Sequence, residues 1–142
     1  MRQSRFIAAE GAGKIGTTIT PMLSVQDATA AIEFYEAAFG ATVVERSEFG
    51  ETTVAELAIV GARFFVVTQD PARGNVSPRT IDGKTSVRID LVVDDPDAVA
   101  ARAVAAGARE MFPVADQPYG FRQGRVVDPE GHHWLIGRPL TQ

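Results

Sequence analysis

The chain repeats one pattern of strand, helix and three strands at an offset of 68 residues. The offset aligns apolar strand residues and a helix-capping aspartate, namely Leu23 with Leu91, Val25 with Val93 and Asp27 with Asp95. Neither unit can bury its sheet face alone, so we expect the two units to pack together. The repeat therefore predicts one α+β domain built from two βαβββ modules that are related by a pseudo-twofold axis.

Each half contains one helix with a recognisable beginning and end. Asp27 suits the N-cap of the first helix, and Asp95-Pro96 gives the second helix a cap and a proline at its first position. Gly40 and Gly107 suit the positions at which the first and second helix end. Between these signals apolar residues recur at helical spacing, and they are Ala28, Ala31, Ile32, Tyr35, Ala38 and Phe39 in the first half and Val99, Ala103 and Ala106 in the second.

The strands show alternating faces. From Thr17 to Val25 one face would carry Ile19, Pro21, Leu23 and Val25, and the other Thr20, Met22 and Ser24. From Ser86 to Val93 one face would carry Val87, Ile89, Leu91 and Val93, and the other Arg88, Asp90 and Val92. Further strands are predicted at 41–45, 53–60 and up to 68, with a loop at 47–50.

A hairpin near the end of the chain has the clearest turn. Two β-prone runs, 124–127 and 132–136, flank Asp128-Pro129-Glu130-Gly131. Aspartate suits the first turn position, proline presets φ at the second, and glycine accepts the left-handed geometry that closes the turn. Asp128 and Glu130 also resemble a general acid–base pair, but their place in a tight turn favours a turn role.

Length and composition exclude several classes of function for this chain. At 142 residues the chain fits an arm over 1–17 and a single domain over 18–142, with modules at 18–69 and 86–138 and a polar linker at 70–85. A net charge of −4 and the lack of basic runs argue against nucleic acid as a partner. The absence of cysteine excludes disulfides and thiol catalysis, and no run is apolar enough to span a membrane. We expect a cytoplasmic protein.

These motifs together resemble the vicinal-oxygen-chelate superfamily of glyoxalases, bleomycin-resistance proteins and extradiol dioxygenases, and most closely its PhnB-like branch. The resemblance covers about residues 18–138. Its carrying motifs are Val25-Gln26-Asp27, Ile32-Glu33-Phe34-Tyr35, Phe39-Gly40-Ala41, Leu91-Val92-Val93-Asp94-Asp95, Ala106-Gly107-Ala108, Tyr119-Gly120, Gly124-Arg125-Val126 and Asp128-Pro129-Glu130-Gly131-His132. The resemblance implies mixed sheets that curve around a cleft, helices on the convex side, a small-molecule ligand and a homodimer.

The resemblance also implies a divalent metal held by side chains on inward positions of four strands. The matching positions here are Thr20, Phe65, Arg88 and Leu135. Phenylalanine and leucine offer no lone pair, arginine stays protonated, and one hydroxyl is a weak donor set. The sequence therefore predicts no metal and no other cofactor. This argues against glyoxalase and dioxygenase activity, because both reactions use the metal as a Lewis acid.

The two histidines, His132 and His133, are adjacent and would point to opposite faces of a strand. They cannot chelate one ion from a regular strand. We expect His132 to support the hairpin and His133 to face the cleft, with Trp134 turned toward the helix layer.

Arg88 and Asp90 share the inward face of their strand and have two interpretations. In the first interpretation they form an internal ion pair, with Glu56 as a further partner. In the second, Arg88 replaces the metal as the fixed cation of the cleft and binds an anionic group of a ligand. Loop aromatics near the cleft would either stack on a flat ligand or simply pack on the surface; they are Phe49, Tyr119 and Phe121, and Arg122 lies beside them.

Two classes of function remain open. The first is a metal-free protein that sequesters an anionic or aromatic compound, as resistance proteins of the superfamily do. The second is a lyase, isomerase or dioxygenase-like enzyme with a non-standard or absent metal site. The predicted ligand-binding residues are Thr20, Phe49, Glu56, Phe65, Arg88, Asp90, Tyr119, Phe121, His133 and Leu135.

Overall fold

Two four-stranded sheets of identical topology make up the fold. The structure is a computed structural model that describes residues 13–141, so most of the predicted arm lies outside the described residues. The elements are β1 (Met22–Val25), α1 (Ala28–Phe39), β2 (Thr42–Phe49), β3 (Thr52–Ile59), β4 (Ala62–Thr68), β5 (Arg88–Val92), α2 (Pro96–Ala106), β6 (Arg109–Asp116), β7 (Phe121–Val127) and β8 (His133–Pro139). Two short 3₁₀ turns, Pro71–Arg73 and Pro78–Ile81, lie in the linker.

The strand order confirms the internal repeat. The first sheet runs β1-β4-β3-β2 and the second β5-β8-β7-β6. In each sheet the first strand pairs in parallel with the last strand of its module, and the other pairs are antiparallel. The predicted α+β fold with two βαβββ modules is therefore correct. None of the helices among residues 13–141 is long and apolar enough to cross a membrane.

The helix signals of the sequence also hold. The carboxylate of Asp27 accepts a hydrogen bond from the backbone N–H of Ala30 at 3.0 Å, and Asp95 accepts one from Ala98 at 3.1 Å. Gly40, with φ of 66°, ends α1 in the left-handed conformation, where a side chain would add strain. Capping explains why both helices begin at the predicted residues.

One core joins the two modules on the helix-covered faces of their sheets. Trp134 of β8 is 1% exposed and lies 4.7 Å from Phe39 and 5.5 Å from Tyr35, measured between ring centroids. It also meets Phe64 of β4 at 5.5 Å. A side chain of the second module thus sits among aromatic residues of the first, and the helix-facing role predicted for Trp134 is confirmed.

The first strand of each module is shorter than predicted. Pairing of β1 begins at Met22, opposite Phe65, because Pro21 has no N–H to donate. Ile19, predicted on the buried face, is 95% exposed, and Thr20 precedes the strand. In the second module β5 starts at Arg88 because the Thr85 hydroxyl bonds the backbone of Val87 and competes with sheet pairing.

Strand β2 is longer than predicted. The sequence predicts a loop at 47–50, but Ser47 pairs with Val54 and Phe49 with Thr52. The turn is confined to Gly50 and Glu51, since Gly50 with φ of 64° reverses the chain at once. Phe49 therefore ends a strand instead of lying in a long loop.

Candidate ligand-binding site

Strand alternation leaves one face of the second sheet uncovered by the helices. Trp134 and Ile136 are buried in the core, so His133 and Leu135 project to the opposite face. The register places Arg88 beside His133 in the parallel pair of β5 and β8. We call this opposite side of the sheet the open face.

The open face contains a pocket of about 260 Å³, named here the aromatic pocket. Its lining includes three of the predicted ligand-binding residues, Arg88, Tyr119 and Leu135. The complete lining is Arg88, Phe112, Gln117, Tyr119, Gln123, Gly124, Arg125 and Leu135. The pocket combines cations, amides, two aromatic rings and one aliphatic side chain, without a carboxylate.

A second pocket of about 400 Å³, named here the polar pocket, adjoins the first. It is lined by Lys84, Thr85, Ser86, Arg88, Arg125 and His133. Arg88 and Arg125 line both pockets and therefore stand between them. The polar pocket also lacks a carboxylate, so the two pockets together form a positive region on a chain whose net charge is −4.

The structure separates the two interpretations of Arg88. Its side chain is exposed, and its guanidinium makes no hydrogen bond or ion pair with any residue of the described chain. The predicted partner Glu56 instead binds Arg63, with Nη1 and Oε2 3.0 Å apart. Asp90 lies on the same strand but lines neither pocket. The internal ion pair of Arg88 with Asp90 or Glu56 is thus absent between these residues.

Other predicted ligand-binding residues lie elsewhere. Phe49, Glu56 and Phe65 belong to the first sheet, where Phe65 and Glu56 face each other in register. Thr20 precedes β1, and Phe121 opens β7. None of these five lines the aromatic or the polar pocket.

Arg122 is held away from the pockets by two acidic residues. Its guanidinium lies 2.7 Å from Asp97 of α2 and 2.9 Å from Asp116 of β6. Hydrogen bonding to Arg122 lowers the pKa of the Asp97 carboxyl, and the same contacts raise the pKa of Arg122. This residue, predicted beside the loop aromatics, therefore joins α2 to the second sheet.

Arg125 is a central residue of the site that the sequence did not indicate, and Phe112 and Lys84 are others. Its guanidinium lies over the ring of Phe112, 5.5 Å from the centroid, and its Nη1 is 3.5 Å from Nδ1 of His133. The register pairs it with Leu135, so alternation along β7 puts it on the open face. The available signal was strand alternation, which puts Arg125 on the face opposite apolar Val126.

The histidines have separate roles. Nε2 of His133 lies 2.8 Å from the carbonyl oxygen of Gly83, which fixes the proton on Nε2 and leaves Nδ1 as an acceptor toward Arg125. Nε2 of His132 lies 2.8 Å from the carbonyl oxygen of Ser24 and ties the hairpin to β1. His132 supports the hairpin, as predicted, and also connects the modules.

The carboxylates of the hairpin turn are structural. Asp128 accepts hydrogen bonds from the backbone N–H groups of Glu130 and His132 at 2.9 and 3.0 Å. It also accepts from Trp134 Nε1 at 2.9 Å and from the Tyr35 hydroxyl. Burial, and then the charge of Asp128, raise the pKa of Tyr35 well above 10.0. The predicted turn role is confirmed for Asp128.

Glu130 connects three segments of the chain. Its carboxylate accepts from the backbone N–H groups of Gln26 at 2.7 Å and Asp27 at 3.1 Å. The hydroxyl of Ser77 in the linker donates to the same carboxylate at 2.7 Å. Both oxygens thus have partners, and Glu130 lines neither the aromatic nor the polar pocket.

The residues present do not fit the metal that the superfamily resemblance implies. Within residues 13–141 no group of three or more His, Asp or Glu side chains is placed to hold an ion. The pocket that contains Arg88 and Leu135 is lined by neither Thr20 nor Phe65. The side chains at the four positions that match the metal ligands of the superfamily therefore lack the donor atoms that a divalent metal needs.

Comparison with known proteins identifies the family. A profile of the glyoxalase-like domain matches residues 20–136. An uncharacterized protein of Mycobacterium bovis is 38% identical over 129 residues, which cover 87% of this chain and 84% of the relative. The chain therefore belongs to the glyoxalase-like domain family and, with it, to the vicinal-oxygen-chelate superfamily.

Solved structures agree with this assignment. A gene product of Arabidopsis thaliana is 30% identical with a TM-score of 0.70, and the match covers 87% of this chain and 100% of that one. TioX from a Micromonospora species is 27% identical with a TM-score of 0.66, over 89% of this chain and 98% of that one. Both share the fold across nearly the whole described chain.

Proposed function

We propose that this protein binds a small molecule, without a metal, in the aromatic pocket of its second sheet. The ligand has an anionic or strongly polar head and a flat or apolar body. Arg88 is the cation that receives the head, and Tyr119 and Leu135 contact the body. Sequestration of such a compound is the function we infer, in keeping with the glyoxalase and bleomycin-resistance type of fold.

The observation that carries this proposal is the guanidinium of Arg88, which has no partner among residues 13–141, in a pocket that no carboxylate lines. A ligand anion there would meet a cation that has no competing partner among the described residues. A charge-assisted hydrogen bond of this kind contributes about 1.5–3 kcal/mol. That free energy corresponds to roughly a ten- to hundredfold gain in affinity.

The pockets favour binding over catalysis. His133 is the only histidine that lines them, and its Nε2 is engaged with Gly83. The hydroxyl of Tyr119 donates to Gln123 at 2.7 Å. An enzyme, whether lyase, isomerase or dioxygenase-like, would need an acid–base group with freedom to reach the substrate. We therefore place the enzymatic alternative second.

A thermal-shift screen of small acids and flat aromatic compounds tests the proposal, together with elemental analysis of the purified protein. We expect stabilisation by compounds that carry an anionic head, and no stoichiometric zinc, nickel or iron. A metal that is present at one equivalent per chain and lost in Leu135→Ala would contradict the metal-free site. A screen whose hits are all uncharged would contradict the role of Arg88.

We also propose that the protein is a homodimer. Strand β6 is the outermost strand of the second sheet within residues 13–141, and exposed Phe112 lies on it, while Val43 and Phe49 of β2 are also exposed. An exposed strand edge of this kind invites pairing with another chain. Sedimentation velocity at tens of micromolar should give a dimer of about 30 kDa, twice the 15.2 kDa chain. A monomer at that concentration would refute the proposal.

A further inference from the structure

Within the described part of the chain, one edge of the Arg125 guanidinium lacks a hydrogen-bond acceptor. Nη1 is engaged, 3.5 Å from His133 Nδ1 and 3.6 Å from the sulfur of Met111. Nε is shielded from solvent, and neither Nε nor Nη2 has a hydrogen-bond acceptor among residues 13–141. A buried donor without a partner is uncommon in folded proteins and points to an acceptor that the protein itself does not provide.

The orphaned edge is the part of a guanidinium best suited to an oxyanion. Nε–H and Nη2–H point in parallel and can donate to two oxygens of one carboxylate or phosphate. Contacts with Phe112 and His133 hold the guanidinium plane in place. Arg125 is therefore preorganised on one side and unsatisfied on the other.

The polar pocket brings two more cations together with Arg125. Lys84, Arg88 and Arg125 line it, and Thr85 and Ser86 bring hydroxyl groups. The Thr85 hydroxyl is engaged with the backbone of Val87, while Ser86 is exposed. Three cations without a carboxylate in the lining repel one another. A ligand with two negative charges would relieve this repulsion more than a single charge.

We propose that the aromatic and polar pockets are two halves of one site for a phosphate monoester. The tetrahedral dianion lies in the polar pocket against Lys84, Arg88 and the Nε–Nη2 edge of Arg125. The flat organic body lies in the aromatic pocket against Phe112 and Tyr119. This inference rests on the proposed function, since it names the ligand class of the same site. A planar monoanionic carboxylate would leave two of these three positive charges uncompensated, whereas the dianion leaves one.

Calorimetric titration with three probes tests the ligand class: phenyl phosphate, inorganic phosphate and benzoate. Phenyl phosphate should bind at least about tenfold more tightly than either of the others, because only it fills both pockets. Lys84→Met should weaken phenyl phosphate several-fold and leave benzoate nearly unchanged. Equal affinity for phenyl phosphate and benzoate would overturn the dianion assignment.

Arg125→Lys tests the two-oxygen contact, since it keeps the charge but loses the parallel donors. We expect about a tenfold loss of phenyl phosphate affinity. Arg109→Lys is the matched control, because Arg109 is an exposed arginine of the same sheet that lines neither pocket. Melting temperatures of both variants, measured without ligand, establish that they are folded.

The outcomes separate the two proposals. If Arg88→Met weakens a ligand from the screen while Arg125→Lys does not, the phosphate site is wrong and the proposed function stands. If neither substitution changes the affinity of any ligand, both are wrong.

Discussion

Replacing Asp128 with alanine tests the buried network that joins the hairpin turn to α1. The carboxylate accepts four hydrogen bonds, two from backbone N–H groups and one each from Tyr35 and Trp134. Asp128→Ala leaves the last two donors buried without an acceptor. Each unsatisfied buried group costs about 1–3 kcal/mol. We therefore expect a loss of about 3–5 kcal/mol in the free energy of unfolding, as for other broken buried networks.

Urea denaturation followed by circular dichroism measures this loss. For a chain of this size the melting temperature should also fall by roughly 2–4 °C per kcal/mol. Asp94→Ala is the control, because Asp94 is exposed and its change should stay within about 0.5 kcal/mol. A loss below about 1 kcal/mol for Asp128→Ala would show that the two donors find other partners and that the network argument is wrong.

Two further predictions concern Tyr35 and Val60. The pKa of Tyr35 is raised above 10.0 in the folded chain, so the folded state keeps a proton that the unfolded state releases. The free energy of unfolding should therefore keep its full value below pH 10 and fall as the pH rises above it. Tyr35→Phe should flatten this pH dependence. A wild-type stability curve that does not decline above pH 10 would contradict the prediction. Val60 is fully exposed and has φ of 56°, a left-handed conformation that strains a β-branched residue. Val60→Gly should therefore raise the free energy of unfolding, measured in urea, by about 0.5–1 kcal/mol. A lower free energy of unfolding for this variant would show that Val60 is not strained.

Much of the fold could be read from the sequence because its determinants are local. Asp27 and Gly40 bound α1 through contacts within a few residues. Residues 128–131 form the turn they encode, with the N–H of Gly131 donating to the Asp128 carbonyl at 2.9 Å. The alternation of side chains along one strand, which is also a local signal, placed Trp134 in the core, where it is buried. Such signals do not depend on how distant segments meet.

The site was harder to predict because it depends on strand register and on long-range contacts. Glu56 binds Arg63 only because the turn after β3 sets the pairing with β4. Arg125 and Arg88 lie 37 residues apart and meet through β8, which separates their strands. Ser77 of the polar linker is buried through its contact with Glu130, 53 residues away. No pattern within one segment encodes these contacts.

The affinity of a screened ligand for Arg88→Met tests the central claim most directly. Titration calorimetry of the wild type, Arg88→Met and Arg88→Lys with the same compound gives the three dissociation constants. We predict a loss of about ten- to a hundredfold for methionine and an intermediate loss for lysine. Because Arg88 is exposed and unpaired within the described chain, the melting temperature of the unliganded variants should not change. Unchanged affinity together with a lowered melting temperature would show that Arg88 supports the fold and not the ligand.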